Sequence, residues 1–188
     1  MGKQVKFLDI YKQDKKIHYH FIKLLKQHLK SSDFILGKSV EFFEKNFSKF
    51  TKSKYSIGCA NGTDALYLAL KCLNLPRNSE VIVPAMTWIS TVLSIINNNL
   101  KPVLVDVDRN SSLISLNEIK KKINKKTKVI LPVNLYGSVV NIKQIKKIIS
   151  KKKIFIIEDS AQAHGALQDD KSPGYYSIAS TYSFYPGK

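Results

Sequence analysis

The sequence has only two cysteines, Cys59 and Cys72, one tryptophan, and two arginines, Arg77 and Arg109, among its 31 basic residues. Two cysteines provide neither a disulfide framework nor a metal quartet, and the expected setting is cytoplasmic with reduced thiols. His18, His20 and His28 lie without a zinc spacing, so no metal is expected. No apolar run approaches the roughly 20 residues that span a bilayer. The N-terminal MGKQVKFLDIYKQDKK also lacks the apolar core of a signal peptide. No membrane partner is expected.

Acidic residues are scarce too, 14 against 31 basic, which leaves a net charge of +17. Such a field attracts phosphate backbones. Yet no basic run is interleaved with stacking aromatics, as single-strand binders require, and no nucleic-acid partner is expected. The lysines recur on the polar sides of amphipathic stretches such as LNEIKKKINKKTK and IKQIKKIISKKK, and read as solvated helix faces. Three motifs are missing as well: GxGxxG, the P-loop and the GxSxG elbow.

What is present is a hydrophobic content of 44% over 188 residues, enough for one domain with a sizeable core. The first part, to about residue 54, reads as helical: Val40, Phe43, Phe47 and Phe50 recur at near-helical spacing. An α/β core is expected from about 55 to 188. Strands are predicted over 55–60, 80–84, 102–107, 128–133 and 154–159. Helices are predicted over 63–73, 89–99, 115–124 and 141–150. Apolar strands separated by single helices imply a mostly parallel sheet flanked by helices, with any ligand at the carboxyl ends of the strands.

Three of those ends carry candidate chemistry. After 55–60 comes ANGTDAL, where Thr63 or Asp64 could cap a helix and Gly62 permits close approach, an arrangement suited to a phosphate. Strand, turn and capped helix is also ordinary α/β grammar. After 80–84 comes Trp88, able to stack on a planar ligand or to fill a core. After 154–158 comes Asp159, a carboxylate at the mouth of a buried strand that needs a cationic partner, either a lysine or a ligand. Gln162 and His164 follow and could face the same cleft. A phosphate, a flat ring and a positive charge meeting an aspartate together describe pyridoxal phosphate, which also needs a lysine. Lys188, after the turn in YSFYPGK, is the lysine set among aromatic and apolar neighbours.

The segments FLDI, FILGKSVEFFEKNF, NGTDALYLAL, EVIVPAMTWISTV, PVLVDVD, TKVILPVNLYG, IIEDSAQAHGA and YSFYPGK closely resemble, in order and spacing, the DegT/StrS family of pyridoxal-phosphate sugar aminotransferases of fold type I. The resemblance implies that Lys188 is the catalytic lysine, linked covalently to the cofactor and later moving a proton. It implies that Asp159 keeps the ring nitrogen protonated, that Gln162 lies near the ring hydroxyl and that Trp88 stacks on the ring. Gly62, Thr63 and Ser183 would hold the phosphate. The implied reaction moves an amino group, usually from L-glutamate, to a keto group of a nucleotide-linked sugar in amino-sugar or polysaccharide biosynthesis. AQAHGA is similar to members acting on 3-keto sugars or ketocyclitols, and Lys188 separates the chain from dehydratase members, which carry histidine there. Two positions depart from the usual pattern: Asn134 replaces a frequent histidine, with substrate contacts the expected consequence, and Ser177-Ile178 replaces a Gly-Asp pair. Family members are much longer and usually homodimeric, so a small C-terminal domain and residues of a second subunit are expected beyond residue 188. A fragment that binds cofactor or partner without catalysis is the alternative expectation.

Overall fold

A pleated strand turns successive side chains to opposite faces, and here both faces are apolar. In strand β1 (Glu80–Pro84), Val81 and Val83 enter one core cluster while Ile82 enters another. The same split recurs in β3 (Thr127–Ile130), where Val129 and Ile130 diverge, and in β4 (Phe155–Asp159), where Ile157 and Ile156 do. Strands that are apolar on both sides must be covered on both sides, and helices cover them. The computed structural model describes residues 5–6, 9–13, 17–150 and 152–188, which leaves Phe7 and Leu8 of FLDI outside the described residues.

Five parallel strands form one sheet in the order β2-β1-β3-β4-β5, with β2 spanning Lys101–Val105 and β5 Ala179–Thr181. The helices in chain order are α1 (Ile10–Gln13), α2 (His18–Ser31), α3 (Lys38–Thr51), α4 (Gly62–Lys71), α5 (Ile89–Asn97), α6 (Leu116–Lys122) and α7 (Ile142–Ile149). One core contains Leu66 and Leu70 of α4 and Ile95 of α5; the other contains Ile119 of α6 and Ile142, Ile145 and Ile149 of α7. The lysines of α6 and α7 lie on the faces left over, as the amphipathic pattern predicts. Because β1 is flanked by β2 on one side and β3 on the other, the chain reverses direction across the sheet between β1 and β3. That switch point opens a crevice at the carboxyl ends of the strands.

Two expectations are corrected. Residues 55–60, expected as a strand, join no ladder, and Ile57 is 83% exposed. Strand propensity there finds no neighbouring strand among the described residues with which to exchange hydrogen bonds. Nor is every strand buried throughout: β2 lies at the sheet edge and exposes Lys101 and Leu104. Strand β5 was absent from the sequence expectation. It is only three residues long and too polar to signal itself, and it pairs with β4 through Ala179, Ser180 and Thr181.

The interior is not wholly apolar. Glu158 is 1% exposed, and three donors reach its carboxylate: Asn134 Nδ2 at 2.9 Å, the Gly174 N–H at 2.8 Å and Ser177 Oγ at 2.7 Å. Gly174 has φ +99°, and a side chain there would press on Ser180 Cβ at 3.2 Å, so glycine suits this contact sterically.

The α7 stripe provides a direct check. Ile145→Ala removes a fully buried side chain and is expected to cost about 2–5 kcal/mol in urea unfolding. Lys146→Ala on the exposed face should stay within about 0.5 kcal/mol of the parent.

Candidate active site

The crevice is lined by Met86, Thr87 and Trp88 after β1, by Asn134 and Tyr136 after β3, and by Asp159, Gln162 and Lys188. It encloses about 180 Å³, small beside the roughly 300–1,000 Å³ of most ligand sites. Trp88 (73% exposed) and Tyr136 (75%) stand at its open rim. Trp88 is the last of the four residues that link β1 to α5 and occupies the helix N-cap position, with φ −70° and ψ 144°.

Asp159 ends β4 with 5% exposure. Thr91 Oγ1 of α5 donates to Oδ2 at 2.8 Å, and the Ala161 N–H donates to Oδ1 at 3.1 Å. Burial pushes the Asp159 carboxyl above the usual carboxylate range, while the two donors and the nearby Lys188 charge pull it down less strongly. No cation among the described residues comes within the 4.0 Å of an ion pair. The carboxylate thus bears a desolvation cost that a positively charged ligand would relieve.

Gln162 lines the same cleft as Asp159. Its Oε1 accepts from the Tyr136 N–H at 2.9 Å, which leaves Nε2 as the donor it can offer inward. Tyr136 is held at φ +53° inside the turn Leu135–Gly137, an uncommon conformation for a bulky residue. Lys188 reaches the cleft from a turn closed by its own N–H donating to the Tyr185 carbonyl at 2.9 Å.

A second cluster lies at the start of α4. Gly62 packs so closely that an added Cβ would stand 3.0 Å from Ser183 Cβ. Thr63 Oγ1 donates to Ser90 Oγ at 2.9 Å. Three hydroxyls, from Thr63, Ser90 and Ser183, thereby meet the first turn of a helix whose leading N–H groups have no internal acceptor. The helix cap is Asn61, whose Oδ1 accepts from the Asp64 N–H at 2.9 Å; neither Thr63 nor Asp64 caps it, as the sequence had suggested. This frees the Thr63 hydroxyl for other work.

Two further expectations change. His164 does not line the cleft; its ring packs against Tyr182 at 5.3 Å and Phe184 at 5.1 Å, in an aromatic cluster that includes Phe43 and Phe47 of α3. Burial there lowers its proton affinity. The Asn134 side chain, expected to bear on substrate contacts, is fully buried and bonded within the chain: Nδ2 donates to Glu158 and Ser160, and Oδ1 accepts from the Val140 N–H at 2.8 Å. Sequence reasoning missed Thr87, Ser90, Thr91 and Tyr136. For the first three, hydroxyls grouped just past a strand end were the available signal.

A family model described as the DegT/DnrJ/EryC1/StrS aminotransferase family matches residues 15–188. The chain belongs to that family. Among aminotransferase relatives, it is 39% identical over 180 residues to a dTDP-3-amino-3,6-dideoxy-alpha-D-galactopyranose transaminase of Aneurinibacillus thermoaerophilus, covering 96% of this chain and 50% of that protein. It is 36% identical over 184 residues to a pleiotropic regulatory protein of Geobacillus stearothermophilus, covering 98% and 50%. The crystal structure of S. venezuelae DesV in complex with a ketimine intermediate superposes with a TM-score of 0.94 at 30% identity, covering all of this chain and 50% of that one. The chain spans about half the length of these relatives.

The donor set of this family member fits pyridoxal phosphate: an uncompensated buried carboxylate, an amide donor, an indole on the rim, an amine, and a hydroxyl-rich helix start that tolerates no side chain at Gly62. The carboxylate also has a measurable consequence without any ligand. Its proton affinity is higher folded than unfolded, so its stability contribution is present below the unfolded carboxylate range and lost as pH rises. Asp159→Asn should therefore stabilise the cofactor-free protein at pH 7. The gain should shrink as pH falls through the carboxylate range, read from urea midpoints at several pH values.

Proposed function

We propose that the protein carrying this chain is a pyridoxal-phosphate aminotransferase that delivers an amino group to a keto carbon of a nucleotide-linked sugar. The observation that carries the reading is Asp159, buried, held by two donors and without an ion pair among the described residues, in one cleft with Gln162, Trp88 and Lys188. When bound, the cofactor supplies a carbonyl that exchanges amines and a ring that draws electrons away from the reacting carbon.

The chain's own residues then divide the work. Lys188 offers the amine that holds the cofactor covalently, and once displaced it moves a proton at the reacting carbon. Asp159 holds a proton at the ring nitrogen. Gln162 Nε2 donates toward the ring hydroxyl. Trp88 covers one ring face and excludes water from it. Gly62, Thr63 and Ser183 hold the phosphate, with Ser90 beside Thr63.

A 3-keto hexose is the favoured acceptor. Gln162 in the AQAHGA segment and the relative named as a 3-amino-sugar transaminase support it. L-Glutamate as donor rests on the family resemblance. Residues 1–188 would form the cofactor-binding large domain, with helices to about residue 54 and the α/β core after it. A homodimer in the cytoplasm completes the reading. The open rim at Trp88 and Tyr136 supports a second subunit, as does α2, which buries none of its own residues and exposes Phe21, Leu25 and Leu29. No described helix is long and apolar enough to cross a membrane.

Incubation with pyridoxal phosphate followed by borohydride should attach the cofactor to Lys188, identified by peptide mass spectrometry. Lys188→Ala should lose the adduct; equal labelling of that variant would overturn the assignment. Asp159→Asn should keep the adduct but slow amino transfer by the complete protein by about 10²-fold or more.

A further inference from the structure

We propose that Thr91 is a positioning residue for Asp159: its hydroxyl, backed by that of Thr87, aims one carboxylate oxygen and keeps the carboxylate ionised against the ring nitrogen. The inference rests on the reading of Asp159 given above.

The two carboxylate oxygens of Asp159 are each held by one donor. Oδ1 takes the Ala161 N–H at 3.1 Å, a backbone group of its own loop. Oδ2 takes Thr91 Oγ1 at 2.8 Å, the shorter contact and the side-chain donor to this carboxylate among the described residues. Thr91 is fully buried, in the first turn of α5. A hydroxyl has one proton to give. With the Thr91 proton directed to Oδ2, the 2.7 Å contact between Thr91 Oγ1 and Thr87 Oγ1 must be donated by Thr87. The result is a directed chain, Thr87 to Thr91 to Asp159, that starts on the cleft wall beside Trp88 and ends on the buried carboxylate. Every proton in it points toward negative charge.

Charged groups nearby do not substitute for this chain. The Lys188 charge reaches Asp159 only at a distance. Glu158, next along the strand, faces the opposite side and is held by its own donors. Hydrogen bonds to the ionised form favour that form. If the Thr91 donor is removed, the carboxylate becomes more basic, and the proton shared with the ring nitrogen shifts onto an oxygen of Asp159. The nitrogen then loses its positive charge. A hydroxyl and a methyl are close in size, so valine tests the donor and serine tests the methyl.

The test is ¹⁵N NMR of the protein loaded with pyridoxal phosphate labelled at the ring nitrogen. In the parent the nitrogen should resonate as protonated, and in Asp159→Asn as neutral. Thr91→Ser should match the parent. Thr91→Val should move the resonance toward the neutral position, with about tenfold weaker protonation of the nitrogen and kcat reduced while KM for the sugar holds. Thr87→Val, at the solvent-facing end of the chain, should move it the same way by less, and it keeps the test alive if Thr91→Val does not fold. An unshifted resonance in the valine variants overturns the inference, as does a serine variant as defective as valine, which would mean packing. A neutral nitrogen in the parent, or no response to Asp159→Asn, instead overturns the reading of Asp159, and the role of Thr91 with it.

Discussion

Glu158 and Asp159 are adjacent carboxylates at the buried end of β4, and the pleat sends them to opposite faces of the sheet. Glu158 follows Ile156 into the α6–α7 side, while Asp159 follows Ile157 toward α4 and α5. Burying either one is costly unless donors meet it. Glu158 gathers three donors, one from the exit of β3 and two from the segment leading into β5. In doing so it secures the path that delivers Ser183 and Lys188. Asp159 gathers two and anchors α5. The fully satisfied carboxylate works as structure, and the under-satisfied one opens onto the cleft. An incompletely compensated buried group on a cleft is a mark of a candidate functional site.

The two departures from the family pattern meet at the first of these groups. Asn134 and Ser177 are 43 positions apart in the chain by their numbering, yet both donate to Glu158, one to each oxygen. Asparagine also donates to Ser160 and accepts from the Val140 N–H, which ties the strand end to the loop before α7. Asn134 and Ser177 therefore belong to one buried network around Glu158. Network members of this kind couple energetically, because removing one donor leaves the others around an undersatisfied charge.

Much of the fold was legible in the chain. β1 and β4 stand out because their apolar residues continue without polar interruption, and α7 because isoleucines recur at helical spacing beneath a lysine face. Elements whose existence depends on a partner were not legible in this way. Residues 55–59 have strand-forming side chains and no ladder, and β5 has a ladder with little strand signal. Pairing is a property of two segments, so one segment's composition neither guarantees nor forbids it.

The site divides along the same line. Sequence alone singled out the candidate groups: an aspartate closing an apolar strand, a tryptophan just past another, a glycine–threonine helix start and a lysine after a turn, each marked by its local setting. Only the tertiary structure decided which hydroxyls serve those groups. Thr91 reaches Asp159 across 68 positions and Ser90 reaches Thr63 across 27, distances that no local pattern encodes. It also decided that His164 belongs to an aromatic cluster and Asn134 to a buried carboxylate. The physical reason is that periodicity reports which face a side chain takes, whereas a hydrogen bond requires a partner whose position is set by packing of the whole sheet.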